Sequence, residues 1–196
     1  MINENFVYLG LFLNSLGSIS YLVDTVRGKV KPNRVTYFIW GSAPLIAFFS
    51  QYKQGVGIQS LLALGVGFWP LMIFIGSFFN KKAEWKITKF DIICGILSVL
   101  GIILWMITKN GNMAIIFSII ADTLASFPTI KKSYLYPETE NIWIYFSGII
   151  YAVIVLLTVK DWNFATFGFP LYIFLLNITV TSLIKFNPKK LLRAGS

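Results

Sequence analysis

A chain of 196 residues with 56% apolar, 17% aromatic and only 13% charged side chains has too few charges for a soluble domain, where about a quarter of residues are charged. Its 17 Lys and Arg against 8 Asp and Glu give a formal charge of +9, yet these basic residues fall between long apolar runs, which argues for membrane orientation and against a nucleic-acid partner. The single Cys94 and the absence of histidine argue against an internal disulfide and against a metal site.

Met1 to Asn5 carries Glu4 and no basic residue, unlike the start of a signal peptide, so the apolar run from Phe6 reads as a retained helix. Seven apolar runs are long enough to cross about 30 Å of hydrocarbon, at about 6–23, 35–51, 57–79, 90–107, 112–128, 142–159 and 164–184. Turn chemistry separates them: Lys31-Pro32-Asn33, Gln54-Gly55, Asn80-Lys81-Lys82, Lys109-Asn110-Gly111, Tyr136-Pro137-Glu138 and Asp161-Trp162-Asn163. The expected fold class is an all-α membrane protein with seven transmembrane helices and no soluble domain.

Basic residues alternate between the two sides of that arrangement. One side collects Arg27, Lys29, Lys31 and Arg34, then Lys81, Lys82, Lys86 and Lys89, then Lys131 and Lys132, and finally Lys185, Lys189, Lys190 and Arg193. The other holds Lys53, Lys109 and Lys160. Because positive loops stay inside, the N-terminus is expected outside and the C-terminus in the cytoplasm, the membrane being the cytoplasmic membrane of a prokaryote.

The chain also repeats itself. Trp69-Pro70-Leu71-Met72-Ile73-Phe74-Ile75 returns as Phe169-Pro170-Leu171-Tyr172-Ile173-Phe174-Leu175, Thr25-Val26-Arg27 as Thr129-Ile130-Lys131, and Tyr37-Phe38 as Tyr145-Phe146. The register is thus 104 residues for the first helix of the repeat, 108 for the second and 100 for the third. Helices one to three (1–80) lie over helices five to seven (111–196, with the tail), and helix four (81–110) is a linker. That extra crossing makes the two three-helix bundles parallel, related by an axis along the membrane normal.

With the N-terminus outside, this three-one-three plan resembles the SWEET sugar facilitators and the wider PQ-loop transporters. Pro128-Thr129-Ile130 before a basic pair resembles the Pro-Gln motif that ends the first helix of such repeats, with Thr129 in the glutamine position and Asp24-Thr25 at the equivalent place in the first copy. Pro44 and Pro128 match helix prolines of SWEET proteins. The resemblance covers essentially the whole chain, and the nicotinamide-riboside type vitamin transporters share its plan. It implies a membrane transporter for a small polar solute, either a facilitator or proton-coupled, with the lipid bilayer as its surroundings, no cofactor, and homo-oligomer formation left open. A receptor or assembly protein that does not transport is the alternative, since the KDEL cargo receptors have a similar fold.

Asp122 is the only carboxylate well inside a span, where an ionised group costs at least about 2.5–3.5 kcal/mol, and it is therefore the proton-coupling candidate. Ser118 and Ser126 stand one turn to either side of it. The 104-residue register lays Ser118 over Asn14 and Asp122 over Ser18, so two polar stripes are expected to face each other across the axis, with Asp122 hydrogen-bonded to Asn14 or Ser18. Asn177 resembles the substrate-contacting asparagine on the seventh helix of SWEET proteins. Trp69 and Trp40 are the candidates for stacking on a substrate ring, whereas Trp85, Trp143 and Trp162 read as interface anchors. The substrate-binding set is then Asn14, Ser18, Trp40, Trp69, Ser118 and Asn177, each serine having the plainer alternative of bonding its own backbone. Pro44, Pro70 and Pro170 free backbone carbonyls inside spans and suit rocking of one bundle against the other. A retinal-type lysine in the last helix is lacking, as Lys185 lies at its end, and no nucleophile stands with a base, so no enzyme is expected.

Overall fold

The computed structural model describes residues 2–83, 85–108 and 110–186, which form seven α-helices and no strand. They are α1 (Phe6–Val26), α2 (Arg34–Lys53), α3 (Leu61–Gly76), α4 (Lys89–Thr108), α5 (Gly111–Leu135), α6 (Ile142–Thr158) and α7 (Phe164–Phe186). Among the described residues, α1, α3 with the 3-10 turn before it, α5 and α7 are long and apolar enough to cross a membrane; α6 is apolar but shorter. Lys109, Lys189, Lys190 and Arg193, counted above as orientation charges, lie outside the described residues.

Local signals account for the starts of four helices. Asn33, Asn110 and Asn141 each turn a side-chain oxygen onto the first free N–H groups of α2, α5 and α6. At the start of α4, Thr88 and Asp91 satisfy each other: Thr88 N–H donates to Asp91 Oδ2 at 2.6 Å and Asp91 N–H to Thr88 Oγ1 at 3.3 Å. The end of α5 departs from expectation, because the helix runs through Pro128 to Leu135 and takes in Lys131 and Lys132. Proline costs one helical hydrogen bond, and in this bundle the Thr36 hydroxyl donates to the Ala125 carbonyl one turn earlier, at 2.8 Å.

The helices pack with α3 against α1 and α2, and α7 against α5 and α6. The two groups meet where α1 packs on α6 and α2 on α5, and α4 lies outside on α5 and, more lightly, on α2. The Ser98 hydroxyl on α4 reaches the Ala121 carbonyl of α5 at 2.8 Å. Polarity is inverted relative to a soluble domain: Asn14, Thr25, Gln51 and Asp122 are buried, whereas Phe12, Leu16, Phe49, Ile96 and Leu175 are exposed. Such a continuous apolar exterior fits lipid and not water.

Close approach of α1 and α6 requires Gly17. A β-carbon there would stand 2.1 Å from Ser147 Oγ and 2.6 Å from the Trp143 carbonyl oxygen, which a backbone cannot yield cheaply. Gly17→Val is therefore expected to destabilise the bundle by about 1–3 kcal/mol or more through overpacking. A lowered melting temperature in detergent checks this, and an unchanged one would show that the two helices are not held so near.

Candidate functional site

Six helices contribute to a small internal cavity of about 60 Å³, room for a few waters. Its walls are Asn14 and Ser18 from α1, Trp40 and Pro44 from α2, Val66, Trp69 and Pro70 from α3, Asp122 from α5, Ile144, Tyr145 and Gly148 from α6, and Ile173, Leu176 and Asn177 from α7. Most come from the middle of their helices. Two buried apolar clusters flank it. One holds Val7, Leu62, Ile115, Tyr151, Val155 and Phe169; the other holds Tyr21, Tyr37, Ile39, Ile73 and Val180.

Six of the seven site residues expected from the sequence meet here: Asn14, Ser18, Trp40, Trp69, Asp122 and Asn177. Ser118 does not join the wall. It is buried one turn before Asp122, and its hydroxyl has no partner. Ser126 is structural, donating to the Thr123 carbonyl at 2.7 Å in its own helix.

The carboxylate partner is not the expected one. Neither Asn14 nor Ser18 binds Asp122; the Tyr172 hydroxyl on α7 donates to Asp122 Oδ2 at 2.6 Å. Asp122 Oδ1 and Asn14 Oδ1 are buried without a partner. The two indoles are held by protein: Trp40 Nε1–H donates to the Asp122 backbone carbonyl at 3.3 Å, and Trp69 Nε1–H to Ser15 Oγ at 3.0 Å. The Asn177 amide N–H turns back to the Ile173 carbonyl at 3.0 Å. Gly148 leaves room for it in this position, since a β-carbon there would lie 2.7 Å from that amide nitrogen.

Tyr172 escaped sequence reading although it sits in the repeated motif. It occupies the position of Met72 in the first copy, and that exchange of thioether for phenol was the available signal. Tyr172→Phe removes the only hydrogen bond made to the Asp122 carboxyl among the described residues while keeping the ring. The expected cost is about 1–3 kcal/mol for a buried acceptor left unpaired, read as a lower melting temperature. No change would mean that water already serves that oxygen.

A second polar cluster lies beyond Tyr37. Lys132 Nζ stands 2.5 Å from Glu140 Oε1, with side chains only 1% and 0% exposed. Glu140 Oε2 accepts from the Tyr21 and Tyr145 hydroxyls, each at 2.9 Å, and the Tyr37 and Tyr145 hydroxyls are 3.4 Å apart. Lys132 also donates to the Lys31 carbonyl and lies under the Trp85 ring, 5.0 Å from its centre. Lys132 is thus an internal ion-pair member and not a loop charge, because α5 carries it inward onto Glu140. Trp85 is likewise more than an interface anchor, being half-buried over Lys132 and packed on Tyr136 at 5.8 Å. Trp143 and Trp162 remain exposed near opposite ends of α6.

Comparison with protein-family models, curated proteins and solved structures finds no match for this chain.

Proposed function

We propose that the chain is a transporter for a small polar solute, crossing the membrane seven times as two parallel three-helix bundles joined by α4, on the plan of the SWEET and PQ-loop proteins it resembles. The packing supports the repeat: exchanging α1 with α5, α2 with α6 and α3 with α7 leaves the main contacts among these six helices in kind unchanged. Burial follows the sequence register as well. Gly10, Asn14, Gly17, Ser18, Tyr21 and Thr25 on α1 correspond at 104 residues to Ala114, Ser118, Ala121, Asp122, Ala125 and Thr129 on α5, all of them buried. Tyr37 and Tyr145, mates at 108 residues, face each other at 3.4 Å.

The observation that carries the functional reading is the cavity itself, where polar and aromatic side chains from both repeats converge on one carboxyl between two apolar clusters. A midplane site at a repeat interface is what alternating access requires. At about 60 Å³ the cavity is too small to pass a solute, so passage needs one flanking cluster to part while the other stays shut. Pro44, Pro70, Pro128 and Pro170 inside α2, α3, α5 and α7 lower the cost of such bending.

Purified protein in liposomes, assayed for flux across sugars, amino acids, nucleosides and small organic ions, tests this reading. Flux of one class supports it, and binding without flux favours the receptor alternative. Orientation has its own test in a Cys94→Ser background. Single cysteines at Asn3 and Gly55 are expected to react with an impermeant thiol reagent in intact cells, because both fall on the side poor in basic residues. Labelling only after permeabilisation reverses the topology.

A further inference from the structure

Resting on the transport reading, we propose that the cavity takes a small planar organic cation and that Asp122 holds either this cation or one proton, so that the protein exchanges the two. The cavity wall contains a carboxyl and no basic residue. The nearest described cations along α5, Lys131 and Lys132, are nine and ten residues on, about 14–15 Å at 1.5 Å per residue; Lys131 is exposed and Lys132 is already paired with Glu140. The groups around Asp122 leave it without a compensating charge: Tyr172 from α7, Asn14 and Ser18 from α1, Trp40 from α2, Trp69 from α3 and Tyr145 from α6. Behind α5, α4 contributes Ser98, bound to the Ala121 carbonyl, and Cys94.

What the site offers a ligand is acceptor-rich. Asp122 Oδ1 and Asn14 Oδ1 are buried and unpartnered, whereas both indole N–H groups and one of the two Asn177 amide N–H groups are spent on the protein. A donor-bearing cation satisfies those oxygens, and the faces of Trp40 and Trp69 attract a flat positive group. An anion would meet a carboxyl with no counter-charge.

Exchange follows from the charge balance. With the carboxylate ionised and the cation bound, the site is neutral; with the carboxyl protonated and the cation gone, it is neutral again. The doubly occupied site carries +1 and the empty ionised site −1, and a net charge in the bilayer interior is the costly condition. Conformations that cross the membrane are then the two neutral ones. One cation enters as one proton leaves, no bond other than the carboxyl O–H is made or broken, and the cycle moves no net charge.

Benzamidine and benzamide have nearly the same shape and differ in charge, so they are the probes. Calorimetric titration is expected to give at least ten-fold tighter binding of benzamidine. In proteoliposomes an acid-inside gradient should drive benzamidine uptake well above protein-free controls, without response to a potassium-valinomycin potential. Asp122→Asn should lose the ten-fold preference, and Asp122→Glu, which keeps the charge, should retain it and serves should the amide variant not fold. Equal binding of the two probes, uptake that follows the potential, or a preference that survives in Asp122→Asn overturns the proposal. Flux of neutral solutes alone would sink the cation assignment and leave transport standing. Flux of no solute class would sink both.

Discussion

Lys132→Met is expected to destabilise the purified protein by about 3–5 kcal/mol, a large share of the stability of an ordinary domain. The Glu140 side chain is fully buried, and removing its cation leaves a carboxylate with two tyrosine hydroxyls and no counter-charge. Glu140→Gln alone should cost a comparable amount, now by stranding the ammonium under Trp85. The double variant should recover most of the loss, since neither charge is then left behind, and the cycle of single and double variants isolates the coupling. Melting curves of the four proteins decide it. Additive losses would mean that the ion pair is not closed in the membrane-embedded protein. The cluster joins α1, α2, α5 and α6, so its loss should also loosen the packing of α1 and α2 on α5 and α6.

Asp122→Asn is expected to abolish proton-driven accumulation, a loss of ten-fold or more, in liposomes with an imposed pH gradient. The amide has the shape of the acid and can still accept from Tyr172, so folding should be little affected. It cannot release a proton. Gradient-driven accumulation equal to wild type would show that the carboxyl serves only as a link between α5 and α7. The prediction is specific to Asp122. Asp24 accepts from Asn141 at 2.7 Å and Asp91 caps α4, so neither faces the cavity, and substitution of either should leave coupling intact.

Much of the site could be read without coordinates. Asn14 and Ser18 were placed opposite Asp122 by the 104-residue register alone, and Trp40, Trp69 and Asn177 by their polar or aromatic character in the middle of apolar runs. Ser118 was placed with them by spacing, but the rotation of α5 turns it away from the cavity wall while keeping it buried. A helical stripe spans more than one neighbour, and a period cannot say which of its residues faces the gap and which faces a packed helix.

Helix number, most helix limits and the repeat register were determined by the sequence itself. Those properties depend on apolar run length against bilayer thickness, on asparagine caps next to their helices, and on residue identity at fixed spacing, all of which are local. Partner choice was decided only by tertiary structure. Tyr172 reaches Asp122 across 50 residues of chain, and Tyr21 reaches Glu140 across 119. Lys132 shows the reason most clearly: a lysine just beyond a proline near the end of an apolar run is equally at home in a basic loop or inside the bundle. Which of these it takes depends on whether packing brings a carboxylate to meet it, and Glu140 is brought there by the turn at Pro137–Thr139 and the capped start of α6.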